Sequence, residues 1–182
     1  ALLEAIAPFE SGHDGFARIG ADGEFEGHFG TAHPAYHRFH LGLTFGAFPF
    51  VQETGTLGQL LRRMRQRDGA AFDRFFAPHG DALIEVCNAA GPHAWDQPDG
   101  QSVRLRPVGG AALWSPAWTA RFQAAGRHVP FQAAQNELAS ELFIDPMLPF
   151  AERLGLMIPT GLLLLVDRAV QMGPADAKRW IA

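Results

Sequence analysis

The sequence predicts an α+β domain that is mainly helical, with a small β-hairpin or sheet near its amino end. An alternating stretch from Phe16 to Phe29 contains Gly20-Ala21-Asp22-Gly23, and Asp-Gly is a strong signal for a short hairpin turn. A second β stretch is expected from Tyr36 to Phe48. Beyond it the apolar residues change to helical spacing, at Leu57, Leu60, Leu61 and Met64.

Helices account for the remaining elements. An apolar helix is expected at Leu2 to Phe9, and the helix at Leu57 has Thr54 or Thr56 available as its N-cap. The stretch from Gly91 to Gly110 is rich in Gly and Pro and is the expected boundary between two lobes, roughly 1–90 and 111–182. The other helices are predicted at about 70–76, 81–89, 115–125, 130–142, 147–154 and 160–172.

Composition narrows the class of protein. With 182 residues, 47% of them hydrophobic and 19% charged, the chain has the make-up of a single globular domain. A net charge of -4 argues against nucleic acid as the main partner. Cys87 is the single cysteine, so no internal disulfide forms, and its apolar surroundings predict a buried, inert thiol.

The length of the apolar runs and the first residues of the chain lead to two further expectations. The longest strongly apolar run, Leu162 to Val166, is far shorter than the ~20 residues that span a bilayer, so no membrane span is expected. Because the chain opens with Ala-Leu-Leu-Glu, we expect it to be a domain from the carboxyl-terminal part of a longer protein.

Glu10 is the first candidate for chemistry. It stands where the predicted opening helix meets the β region, and partial desolvation there would raise the pKa of its carboxyl towards the range of a general acid. The negative end of the helix dipole also disfavours a carboxylate at this position. The alternative is an ordinary solvated acid at a helix end.

Polar residues on the predicted helix after Pro130 need partners. Gln135 falls on the apolar stripe, and a buried amide left without partners costs ~1–3 kcal/mol, which favours a structural role for it. Asn136 stays open as a groove residue. Arg62, Arg63, Arg65 and Arg67 are more consistent with a solvated helix face than with a site, although they could meet an anionic polymer.

Several segments together resemble a known family. Pro130-Phe131-Gln132-Ala133-Ala134-Gln135-Asn136-Glu137, followed by Phe143-Ile144-Asp145-Pro146, closely resembles a helix of the family-46 chitosanases, which belong to the lysozyme-like superfamily. Similar likenesses occur, in the family's order, at Phe9-Glu10-Ser11, Leu41 to Gly46, Thr54 to Leu57 and Val166 to Pro174. The resemblance implies a lysozyme-like two-lobed fold, with Glu10 at the place of the catalytic acid.

The chain also departs from that family. The stretch Ala35 to Gly42 has no carboxylate where the family carries its general base, and His40 stands where relatives hold the attacking water with a threonine. This variant looks more like the chitosanase-like, peptidoglycan-cleaving domains of bacterial secreted effectors. That resemblance implies production in a bacterial cytoplasm, export, and action in the periplasm or cell wall of a target bacterium, with an immunity protein as a further partner.

Glycoside hydrolysis needs a second group besides the acid, to handle water or the sugar carbon. His40 is the first choice as water holder, and Glu53 and Glu26 are candidate bases. Asp22 suits a turn. Alternation puts Glu24 and Glu26 on one strand face, and a solvated face is the alternative for both. Tyr36, Phe39 and Phe48 are aromatic residues that could stack on sugars, although residues of this kind more often belong to the core. The candidate substrate-binding residues are Thr44, Gln52, Thr54, Thr56 and Asn136.

No cofactor or metal is expected. The histidines at 28, 33, 37 and 40 fit no established zinc spacing, and the chain has no phosphate loop, dinucleotide fingerprint or Ser-His-Asp elbow.

The sequence therefore predicts a glycoside hydrolase of lysozyme or muramidase type that cleaves the β-1,4 bond of peptidoglycan. A chitosanase and a catalytically silent glycan-binding domain are the alternatives. Chitosan is cationic and favours an acidic cleft, whereas Thr54-Gly55-Thr56 is uncharged and an arginine-rich helix begins beside it. This difference favours peptidoglycan.

Overall fold

The computed structural model describes residues 12–20, 24–27 and 37–181. The predicted opening helix and Glu10 lie outside the described residues, as do Asp22, His28, His33 and Tyr36.

The described strands form two antiparallel ladders. β1 (Ile19–Gly20), β4 (Thr44–Phe45) and β5 (Phe50–Val51) make a three-stranded sheet in the order β1-β4-β5. β2 (Glu24–Gly27) pairs with β3 (His37–His40). The antiparallel topology and the short strands leave the sheet a minor part of the fold.

The predicted hairpin around Asp22-Gly23 is wrong. The strand before these residues pairs with β4 and the strand after them pairs with β3, so the two belong to different ladders. An Asp-Gly pair indicates a turn, but it does not determine which strands pair. The pairing agrees with the burial of Phe39 and Phe45 on the partner strands. The predicted β stretch from Tyr36 to Phe48 is also interrupted, because Gly42 and Gly46 take positive φ values of 70° and 100°.

Helices dominate the described chain, so the prediction of a mainly helical α+β fold is confirmed. They are α1 (Thr56–Arg67), α2 (Gly69–Phe76), α3 (Gly80–Cys87), α4 (Pro116–Gly126), α5 (Val129–Ala139), α6 (Leu148–Arg153), α7 (Pro159–Met172) and α8 (Pro174–Ile181). A π-helical turn, Ser140–Ile144, extends α5. Short 3-10 turns occupy Gly12–Ala17, Ala94–Asp96 and Val103–Leu105. None of the described helices is long and apolar enough to cross a membrane.

Helix α8 was not predicted. Pro174 opens it directly after Gly173, whose φ of 82° ends α7. Proline directly after such a glycine is a signal for the start of a new helix. The sequence prediction ended the last helix at Met172 and did not use this signal.

One hydrophobic core joins both sides of the 91–110 connection. Phe122 of α4 packs against Phe45 at a ring-centroid distance of 5.1 Å and against Phe76 at 5.2 Å. The predicted lobes therefore share their core. Cys87 lies in it as predicted, and burial raises the pKa of its thiol to about 12.

The start of α1 differs from the prediction. Its N-cap is Gly55 and no side chain caps it. Thr56 instead accepts a hydrogen bond from the backbone N–H of Val51 at 2.8 Å, so it fastens the preceding turn. A cap that was not predicted occurs at Asp68, which accepts a bond from Ala71 N at the start of α2.

The arginines of α1 lie on an ion-paired surface. Arg63 binds Glu141 through two hydrogen bonds of 2.8 and 2.6 Å. Arg65 pairs with Asp81, and Arg67 pairs with Glu137. These contacts agree with a structural face and leave the three guanidinium groups neutralised by their neighbours.

Gln135 fastens two irregular segments to α5. Its Oε1 accepts from Ala47 N at 2.9 Å and its Nε2 donates to Phe16 O at 3.0 Å, and the residue is fully buried. The structural role expected for Gln135 agrees with these contacts.

We expect Gln135→Leu to lower the free energy of unfolding by about 2–4 kcal/mol, because it leaves Ala47 N and Phe16 O without their partner inside the protein. Urea unfolding followed by circular dichroism measures the change. Gln123→Leu, at an exposed position of α4, is the matched control and should change the value little. Equal stabilities of the two variants would contradict the assignment.

Candidate functional site

Two histidine–tryptophan stacks form the candidate site. The rings of His40 and Trp114 lie 6.1 Å apart at an interplanar angle of 7°. Those of His93 and Trp95 lie 4.1 Å apart at 11°. All four side chains are partly exposed, and we call them the histidine–tryptophan surface.

A small apolar cluster supports this surface. Phe39, Ala94 and Leu105 are buried together, and both tryptophans pack against them. Phe39 also meets the edge of Trp95 at 6.2 Å. Phe39 precedes His40 on β3, so this strand joins the cluster to the stack of His40 on Trp114.

Beneath the surface lies the carboxylate of Glu53, which is fully buried. It accepts a hydrogen bond from Ala94 N at 3.0 Å and another from the Ser102 hydroxyl. The Nδ1 atom of His93 lies 3.2 Å from it, and a guanidinium nitrogen of Arg104 lies 3.6 Å away. A buried carboxylate with this many donors is satisfied, and it ties the segment 93–104 to the end of β5.

This burial argues against Glu53 as the general base. A base must reach a water beside the substrate, whereas the oxygens of Glu53 face protein donors. Its geometry is that of a positioning residue, since it holds the ring of His93 that stacks on Trp95.

Gln52 has a similar place. Its Oε1 accepts from Leu43 N at 3.0 Å, and its Nε2 donates to Arg104 O at 2.6 Å. The residue is fully buried, which argues against the predicted contact with substrate. Phe39 and Phe48 are buried as well, so they belong to the core and do not offer rings to a sugar.

The remaining predicted binding residues lie apart from the surface. Thr54 is exposed at the turn before α1 and its hydroxyl lies 3.0 Å from that of Thr56. Thr44 is half-buried in β4, and Asn136 is half-buried on α5. Among the described contacts, none connects these four residues to the histidine–tryptophan surface.

Strand register decides between the two acidic residues of β2. Glu24 lies directly opposite His40, whereas Glu26 lies opposite Arg38. Directly opposite residues of an antiparallel pair are neighbours on one face. The register therefore places Glu24, and not the predicted Glu26, opposite His40 in the ladder.

The sequence prediction missed His93, Trp95, Ser102, Arg104 and Trp114. Most of them lie in the Gly/Pro-rich stretch that was interpreted as a lobe boundary. The signal that could have found them is the short run Pro92-His93-Ala94-Trp95, since a linker rarely needs a tryptophan beside a histidine.

No family model, curated protein or solved structure matches this chain. Within residues 12–20, 24–27 and 37–181, no three His, Cys, Asp or Glu side chains group in a way that could hold a metal ion.

We expect Glu53→Gln to lower the free energy of unfolding by about 2–4 kcal/mol, because it removes a fully buried charge that balances the partly exposed Arg104. Chemical unfolding monitored by far-ultraviolet circular dichroism gives the value. Glu141→Gln is the matched control, since it breaks an exposed ion pair with Arg63 and should cost no more than about 1 kcal/mol. A Glu53→Gln protein as stable as wild type would remove the network from its structural role.

Proposed function

We propose that this chain is a glycoside hydrolase of muramidase type that cleaves the β-1,4 bond of peptidoglycan. The observation that carries the proposal is the histidine–tryptophan surface. It offers two partly exposed indole rings, one stacked on the imidazole of His40 and the other on that of His93. The resemblance of several segments to lysozyme-like enzymes also supports a glycoside hydrolase.

Flat indole rings suit a glycan strand. The axial C–H groups of a pyranose form an apolar face, and an aromatic ring buries that face while the hydroxyl groups stay in water. Trp95 and Trp114 pack on one apolar cluster, so their rings have a fixed support. Preorganised rings bind a chain of sugars with little loss of side-chain entropy.

His40 is proposed to hold the attacking water. It follows the buried Phe39 at the end of β3 and stacks on Trp114, which restricts the orientation of its ring. An imidazole can accept a proton from water near neutral pH, and positioning such a water accounts for a large part of the rate. Glu24, opposite His40 in the ladder, is the proposed acidic partner.

Glu10 remains the proposed general acid, on the sequence argument alone. It would protonate the leaving glycosidic oxygen, and the water held by His40 would attack the sugar carbon. Glu53 then serves the reaction indirectly, through the position of the segment that carries His93 and Trp95.

The choice of peptidoglycan over chitosan rests on charge. The turn Thr54-Gly55-Thr56 is uncharged, and a groove for chitosan would need several carboxylates to attract its ammonium groups. The arginines of α1 no longer support this choice, because three of them are paired with acids. Export to the cell wall of a target bacterium, as an antibacterial effector with its own immunity protein, belongs to the same proposal.

Digestion of purified peptidoglycan should release muropeptides with a new reducing end on N-acetylmuramic acid, while soluble chitosan stays intact. Mass spectrometry of the products distinguishes the two substrates. Glu10→Gln should reduce the release by about 10²–10⁴-fold without changing the thermal midpoint. Glucosamine oligomers without muropeptides would indicate a chitosanase, and binding without any product would indicate a silent glycan-binding domain.

Kinetic constants should separate the roles of His40 and Trp114. His40→Ala should lower kcat by about 100-fold with little change in KM, because water positioning matters in the transition state. Trp114→Ala should raise KM by about tenfold, because it removes a stacking ring, and it should also lower kcat, because the ring of His40 loses its support. Assays with soluble glycan strands of defined length provide both constants.

Trp180→Ala is the control for the tryptophan variant. Trp180 is exposed on α8 and stacks under Arg168 at 5.0 Å, and none of its described ring contacts involves the four residues of the surface. Equal effects of the two tryptophan variants on KM would remove the sugar-stacking role from Trp114.

A further inference from the structure

A second face of the molecule carries a groove beside helices α2 and α4. Its volume is about 370 Å³, and its lining combines two guanidinium groups with apolar side chains. The lining residues are Arg74, Phe75, Ala77, Ala120, Arg121 and Ala124. None of them belongs to the histidine–tryptophan surface.

Arg121 also lines a smaller cavity of about 110 Å³, beside His79, Gly109 and Trp118. Gly109 has a φ of 62°, and a Cβ at this position would come within 2.7 Å of the imidazole Nε2 of His79. The turn thus needs a glycine here for two reasons, its backbone conformation and the closeness of the imidazole. A cavity of this size holds a group of a few heavy atoms, such as a carboxylate.

The two arginines of the groove are held by aromatic rings. The guanidinium of Arg121 lies over Trp118 at 5.2 Å and donates one hydrogen bond to Ala77 O at 3.2 Å. The guanidinium of Arg74 lies over Phe75 at 5.1 Å. Stacking on a ring orients a guanidinium and leaves N–H groups at its edge for an anion.

Charge distinguishes these arginines from those of α1. Arg63, Arg65 and Arg67 each have a carboxylate partner. Among the described residues, no carboxylate lies within 4.0 Å of the guanidinium of Arg74 or Arg121, and neither cavity has an acidic residue in its lining. The groove is therefore lined by two guanidinium groups and four apolar residues, and Asp68 is near enough to Arg74 for that charge to contribute to the lowering of the Asp68 pKa.

We propose that this groove is a binding site for a carboxylate carried on a flat apolar ring or a similar apolar body. The carboxylate would accept from Arg121 and Arg74, and the apolar body would rest on Phe75 and the alanines between them. The site is independent of glycan cleavage, because it shares no residue with the proposed catalytic surface.

Titration with benzoate, followed by ¹H–¹⁵N NMR of the intact chain, tests the proposal. The amides of α4 and the side-chain N–H of Arg121 should shift and reach saturation. Acetate and inorganic phosphate supply the anion without the ring, and benzyl alcohol supplies the ring without the charge. We expect each of the three to bind at least about tenfold more weakly than benzoate.

Arg121→Gln should weaken benzoate binding by about tenfold or more, since the hydrogen bonds to the anion lose their charge. Arg127→Gln is the matched control, because Arg127 is exposed at the end of α4 and lines neither cavity. Arg74→Gln provides a second test, should the Arg121 variant fail to fold.

Three results would overturn the proposal. They are the absence of saturable benzoate binding, phosphate binding as tight as that of benzoate, and equal affinities of the Arg121, Arg74 and Arg127 variants.

Discussion

The buried carboxylate of Glu53 is the interaction on which the candidate site depends. A fully buried carboxylate is costly unless donors surround it, and here the donors come from a segment that has little regular structure of its own. Ala94, Ser102 and Arg104 are thereby drawn to the end of β5. Because His93 and Trp95 lie within this segment, the position of one histidine–tryptophan stack follows from the same contacts.

Two buried amide side chains fix the backbone near the sheet through hydrogen bonds, as the carboxylate of Glu53 fixes the segment 93–104. Gln52 and Gln135 each join two backbone groups in places where no strand or helix supplies a partner. Buried backbone groups need partners, and turns without regular pairing find them in side chains. The two amides pack closely against glycines. A Cβ at Gly42 would collide with the side-chain oxygen of Gln52, and a Cβ at Gly46 would collide with that of Gln135.

The sequence predicted the helices well because their signals are local. Apolar spacing, Pro116 after Ser115 and the break at Asp145-Pro146 each act within a few residues, and the helices α1 to α7 follow them. The sheet was predicted less well, since Asp-Gly indicates a turn but does not choose the strand partner.

The site was harder to predict for a related reason. Nothing near Glu53 in sequence distinguishes an exposed base from a buried anchor, because its partners lie 40 or more residues away. Likewise, the stacking of His40 on Trp114 depends on how the segment after Gly91 folds back on β3. The family resemblance drew attention to His40, and it carried no information on the tryptophans.

Gln135 also has a consequence for the order of folding. It bonds to residues that precede it by 119 and 88 positions, so both contacts close very long loops. Loop closure costs chain entropy before such contacts can compensate for it. The helical segments can therefore form first, with the turn at Ala47 and the backbone at Phe16 fixed after α5 has docked. If these contacts form late, they act on the rate of unfolding more than on the rate of folding, so we expect the loss of Gln135 mainly to speed unfolding.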